Sequence, residues 1–257
     1  MQTDYLSEPA IFHKNLIFHF TNPDAALNII KTLKFKAGRL ITTNDVRENL
    51  LYQQFQFIDS KMMEVLKYQC FTFSFSSNYQ RADSDILFYG YRKPRMWAQY
   101  ANNSSGICLV IDKSLFLKAI GKLSSKYDYC FDDNIAYEEK LPDFTTSRHV
   151  KNDVATYQKD LFFTKHLDWR DENEYRVVII SHEEQFNVGI NLEGTNCFVK
   201  GLIMGPLFPY KAELIYRLNK SGLMEKICLY NSTAKYEGVN ILHWPKDIAI
   251  NYISSIL

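Results

Sequence analysis

Apolar and polar side chains alternate along residues 15–21: Leu16, Phe18 and Phe20 fall on one side, Ile17, His19 and Thr21 on the other. That two-residue period predicts a strand. Asn22 then supplies a helix cap and Pro23 a first helical residue. Leu27, Ile30 and Leu33 recur at helical spacing and predict a helix reaching Phe35. Gly38 turns the chain into a short strand over 39–42, and Asn44 or Asp45 opens a helical region to about Lys67. Alternation returns over 70–76, where Phe71, Phe73 and Phe75 share one face and Thr72, Ser74 and Ser76 the other, a strand half apolar and half polar.

Further on, Met96, Trp97, Tyr100 and Ala101 fall on one side of a predicted helix over 94–102, and 107–111 reads as a buried strand. Between 112 and 160 the pattern predicts a helix after Lys113, a loop through Asp132, Asp133 and Asn134, and a helix before Phe162. Strands follow over 174–180 and 198–204, the second ended by Gly205 and Pro206. A helix from about Lys211 and strands over 226–230 and 239–243 complete the chain. Without a regular βαβα rhythm, the expected class is α+β, with mixed or antiparallel split sheets and flanking helices. With no linker or repeat, the chain is expected to be a single domain over 1–257, its core motifs at about 15–206 and residues 207–257 part of the same domain.

Composition narrows the class of partner. The 257 residues carry 30 basic and 29 acidic side chains, a formal charge of +1, so the overall balance calls for neither a polyanion nor a membrane surface. Aromatic residues make up 15%, enough to line a pocket as well as fill a core. The cysteines at 70, 108, 130, 197 and 228 are odd in number and have no zinc spacing, which predicts free thiols in a reducing compartment. No apolar run approaches the ~20 residues of a membrane span, and residues 1–5 do not begin a signal sequence, so a cytoplasmic location is expected.

The chemistry concentrates in Trp169-Arg170-Asp171-Glu172-Asn173-Glu174-Tyr175-Arg176. In a strand, Glu172, Glu174 and Arg176 share a face, and the segment becomes apolar on both faces beyond them, which puts charge at the rim of a core. Two readings follow. The charges form an ion pair that fixes a strand end, or one carboxylate is held by Arg176 and faces a cleft. His19 is either a hydrogen-bonded structural residue or a working one, and Trp97 and Tyr100 either core or ligand platform. Arg39 and Arg47 carry guanidinium groups, which grip phosphate bidentately. Asp132, Asp133, Asp171 and Glu172 would serve a magnesium-dependent nuclease if they converged. Phosphate-loop, dinucleotide, serine-hydrolase and zinc-protease motifs are absent.

Five segments together, His19-Phe20-Thr21, Cys70-Phe71-Thr72-Phe73-Ser74, Met96-Trp97-Ala98-Gln99-Tyr100-Ala101, Gly106-Ile107-Cys108-Leu109-Val110 and the run 169–176, resemble the bacterial DUF2971 family. The resemblance spans about Phe18 to Pro206. More distantly, a strand histidine, a middle aromatic and a late strand glutamate resemble ADP-ribosyltransferases of the His-Tyr-Glu type, which include toxin and phage-defence enzymes. That resemblance implies NAD as substrate, no metal, and a nucleic acid or protein as acceptor, with an antitoxin or chaperone as a further partner. Glu174 (or Glu172) would then support the cation developing on the nicotinamide ribose. His19 would hold the adenosine-side ribose with Phe20 and Thr21 beside it, and Trp97 or Tyr100 would stack on nicotinamide. Phe20 stands where relatives commonly carry tyrosine. The alternative expectation is a non-enzymatic nucleotide- or partner-binding module whose Glu/Arg cluster is structural.

Overall fold

A computed structural model describes residues 15–45, 65–80, 87–140, 154–181, 188–192, 197–235 and 238–254. Strand β1 (Leu16–Thr21) leads into α1 (Pro23–Thr32), β2 (Lys34–Lys36), β3 (Gly38–Arg39), β4 (Cys70–Ser77), β5 (Tyr79–Gln80) and β6 (Leu87–Phe88). Next come α2 (Pro94–Gln99), β7 (Ile107–Asp112), α3 (Lys113–Gly121), β8 (Tyr127–Asn134), β9 (Ala136–Glu138), α4 (Gln158–Phe162) and β10 (Thr164–His166). The chain continues through β11 (Glu174–Ser181), β12 (Gly189–Asn191) and β13 (Val199–Met204). It closes with α5 (Lys211–Lys220), β14 (Cys228–Lys235), β15 (Gly238–Trp244) and α6 (Lys246–Ser254). The fold is α+β with mixed pairing: β13 runs parallel to β14, whereas β1 with β7 and β4 with β11 are antiparallel.

The described residues group into two compact units, one from those within 1–33, 77–117 and 192–257, the other from those within 34–76 and 118–191. In the first, strands are ordered β15-β14-β13-β7-β1. The predicted apolar face of β1, Leu16, Phe18 and Phe20, packs with Met96, Trp97, Val110, Ile203 and Tyr230. Helix α1 starts as its sequence dictates: the Ala25 N–H donates to Asn22 Oδ1 at 2.8 Å and Pro23 takes the first turn. It stops at Thr32, short of the expected Phe35, because Leu33 adopts a left-handed φ of 53°. The following residues instead pair as β2 with β12 in the second unit.

In the second unit β11 lies between β4 and β8, with β3 beside β4. Every residue of β11 is buried, as a strand apolar on both faces demands. Phe35, Phe73, Phe75 and Tyr175 form a chain of ring contacts with centroids 5.1–6.5 Å apart. The hydroxyl face of β4 is also covered, Thr72 and Ser76 being buried. Residues 39–42 are not one strand: only Gly38 and Arg39 pair with β4, and 40–42 form a 3-10 turn. Thr42 and Thr43 hydroxyls donate to the Arg39 and Leu40 carbonyls, diverting the backbone from the ladder. Asp132, Asp133 and Asn134, expected in a loop, belong to β8, whose largely exposed side chains let acids sit in a strand. Most of the helical region expected to reach about Lys67, and Arg47 with it, lies outside the described residues.

Candidate functional site

The fold places two acids and two cations together at the start of β11. Glu172 ends a 3-10 turn (Leu167–Glu172), and Asn173, at φ 46°, reverses the backbone into β11. Strand register therefore begins at Glu174, and Glu172 reaches the same place through the turn. Its carbonyl accepts a hydrogen bond from Ser76 Oγ at 2.9 Å. The side chains of Glu172, Glu174 and Arg176 are all buried.

Arg176 holds Glu174 side-on, Nε donating to Oε1 at 2.8 Å and Nη2 to Oε2 at 3.2 Å, while Nη1 donates to the Phe162 carbonyl at 2.9 Å. Lys165, from β10, places one ammonium between both acids, 3.0 Å from Glu172 Oε2 and 2.7 Å from Glu174 Oε2. The ring of Trp169 lies under the same ammonium at 5.3 Å. The Glu174 N–H donates to the Tyr137 hydroxyl oxygen at 2.8 Å. Burial pushes the Glu174 carboxyl upward, but Arg176 and Lys165 outweigh it and hold the pKa at about 2. Burial keeps the Tyr137 phenol well above its ordinary value, so it faces the cluster uncharged.

Of the residues singled out from sequence, Glu172, Glu174 and Arg176 stand in this cluster. Arg39 belongs to the same unit, opposite Phe71 at the end of β3. His19, Phe20, Thr21, Trp97 and Tyr100 belong to the first unit. His19 is half-buried in β1, opposite Leu109. Trp97, 1% exposed, donates Nε1–H to the Tyr91 carbonyl at 2.7 Å and meets Phe20 edge-on at 5.3 Å, so its ring is core packing. Tyr100 is half-buried at the end of α2. Asp132 accepts the Tyr175 hydroxyl at 2.5 Å, and among the described residues no three His, Cys, Asp or Glu side chains converge as a metal site.

Residues 96–177 match the DUF2971 family model, described as a protein of unknown function. The matched segment runs from Met96 in α2 to Val177 in β11 and includes all four charged members of the cluster. No curated protein and no solved structure matches the chain. No helix among the described residues is long and apolar enough to cross a membrane.

Sequence reasoning missed Lys165 and Tyr137. A signal for the lysine was present: two acids entering a buried strand beside one arginine leave a negative charge without a counterion, and Lys165 is a nearby cation flanked by Leu161, Phe162 and Phe163.

Proposed function

We propose that the chain is an NAD-dependent ADP-ribosyltransferase acting on a macromolecular acceptor, nucleic acid or protein, with Glu174 as its working carboxylate. The observation that carries this reading is a buried carboxylate held ionised by named partners at a strand start. The resemblance that pairs it with His19 adds support. In the reaction the bond between nicotinamide nitrogen and ribose carbon breaks, its electron pair leaving with nicotinamide. An acceptor oxygen or nitrogen then bonds that carbon and releases its proton. Positive charge accumulates on the ribose in between, and a fixed anion lowers the energy of that state. Glu174 accepts a ribose hydroxyl proton in hydrogen bonding, which requires Lys165 to yield Oε2. By the same resemblance His19, with Phe20 and Thr21, is assigned to the adenosine-side ribose and Tyr100 to nicotinamide, and Arg39 is assigned to the pyrophosphate. Such an enzyme fits a toxin or phage-defence effector, with an antitoxin or chaperone as partner.

A second reading, a non-enzymatic binding module with a structural cluster, is favoured by one observation: both Glu174 oxygens are occupied by cations and the residue is 4% exposed. One experiment separates the two. Purified wild type and Glu174→Gln are incubated with labelled NAD and RNA, DNA or protein, and their melting temperatures are compared. The transferase reading expects label transfer or nicotinamide release by wild type, and loss of both in a Glu174→Gln variant that is still folded at the assay temperature. A folded wild type inert toward every acceptor would falsify it.

A further inference from the structure

We propose that Lys165 is the positioning residue of this cluster, the group through which Glu172 acts on Glu174. The inference rests on Glu174 as the working carboxylate and resolves the roles of the two acids: Glu174 meets the ligand, and Glu172 serves the lysine.

Four observations support it. One ammonium spans both carboxylates, which would otherwise repel each other. Glu172 is fixed independently of any ligand, by Ser76 on its carbonyl and by the left-handed Asn173 that follows. Trp169 covers the ammonium, and Lys165 is itself 5% exposed, so the lysine is anchored in the fold. Finally, among the described residues of the cluster, the formal charges of Lys165, Arg176, Glu172 and Glu174 sum to zero. Removing Lys165 leaves a buried negative excess, removing Glu172 a positive one, and removing both restores balance with the Glu174–Arg176 pair intact. Among the described residues, the groups facing Glu174 are Lys165 from β10, Arg176 from its own strand, Glu172 across the lysine, and the uncharged Tyr137 phenol from β9.

The test is a cycle of Lys165→Met, Glu172→Gln and the double variant in the full chain. Thermal unfolding is followed from neutral to acid pH, and nicotinamide release from NAD is measured in parallel. Each single substitution is expected to lower the melting temperature, and the double to lose less than the two singles together. Lys165→Met is expected to move the acid limb of the stability profile upward by about one pH unit, because Glu174 then keeps one cation fewer. The acid limb of kcat/KM is expected to move the same way, which a lysine serving only to pack would not cause. Additive losses in the double, or an unmoved acid limb, would overturn the proposal. If Lys165→Met does not fold, the double is compared with Glu172→Gln alone: an equal or higher melting temperature supports the coupling, a lower one refutes it. Wild type that folds but does not cleave NAD defeats the transferase reading, while the unfolding cycle still decides whether Lys165 couples the two acids.

Discussion

Arg176 and Glu174 lie two residues apart on β11 and meet side-on within the protein, through Nε at 2.8 Å and Nη2 at 3.2 Å. Side chains at this spacing share a strand face, so the pair is local in sequence, while Phe162 and Lys165 join it from other elements. Removing the guanidinium leaves a buried carboxylate with one cation fewer and an unpaired Phe162 carbonyl. Arg176→Met is expected to cost about 3–5 kcal/mol in urea unfolding. Arg176→Lys is expected to recover only part of this, because an ammonium cannot reproduce the planar fork.

The depressed carboxyl of Glu174 gives stability a direction with pH. Its folded pKa, about 2, lies below the ordinary carboxyl value of 4.5, so the folded state favours the ionised form. The resulting stability is fully present above about pH 4.5 and is lost as pH falls toward 2. An acid titration of the unfolding free energy is expected to decline through that window in wild type. In Glu174→Gln the decline is expected to be shallower, since the group that takes up the proton is gone. Equal slopes in the two proteins would refute the assignment.

Trp97 offers a separate check on which aromatic serves a ligand. Its indole N–H is spent on the Tyr91 carbonyl and its ring on Phe20. Trp97→Phe is expected to cost roughly 1–3 kcal/mol in thermal or chemical unfolding, from a buried carbonyl left without its donor and a smaller ring. NAD cleavage, measured on the folded variant, is expected to be retained. Tyr100→Ala is expected to impair cleavage while costing less stability, its ring being only partly buried.

Periodic segments were legible in the sequence for a common reason: burial on one or both faces leaves a repeat. The apolar face of β1 and the two-sided burial of β11 follow from alternation and from its loss. What was not legible depended on contacts distant in sequence. Phe35 continues a helical period, yet the left-handed Leu33 and pairing with β12 make its segment a strand. Asp132 and Asp133 read as loop residues because an acidic run is rare in strands, but β8 pairs with β11 while leaving most of its side chains exposed. Helix α6 was not anticipated at all. In the candidate site, the acids and Arg176 lie within five residues and could be read directly. Lys165 and Tyr137 arrive from β10 and β9, which no local pattern ties to β11.

Two glycines in the first unit are held by space rather than by backbone angle. The Gly205 N–H donates to the Gly106 carbonyl at 2.9 Å, bringing two chain segments into contact at the residues without side chains. A Cβ on Gly106 would stand 2.0 Å from the Thr21 carbonyl oxygen, and one on Gly205 would stand 2.1 Å from that of Ser104. Neither neighbour can step aside cheaply. Thr21 ends β1, and Asn102, Asn103 and Ser104 already hold left-handed φ values of 46°, 53° and 67°, a strained run that the surrounding contacts sustain. Gly106→Ala and Gly205→Ala are each expected to destabilise by roughly 3 kcal/mol or more, as severe overpacking does. Gly121→Ala is the control: it ends α3 with nothing within 4 Å of the added carbon, so it is expected to be neutral or to stabilise slightly. Urea unfolding of the three variants beside wild type reads the contrast. A Gly106→Ala protein as stable as Gly121→Ala would mean that Thr21 is free to move, and that β1 does not fix the residues assigned to NAD.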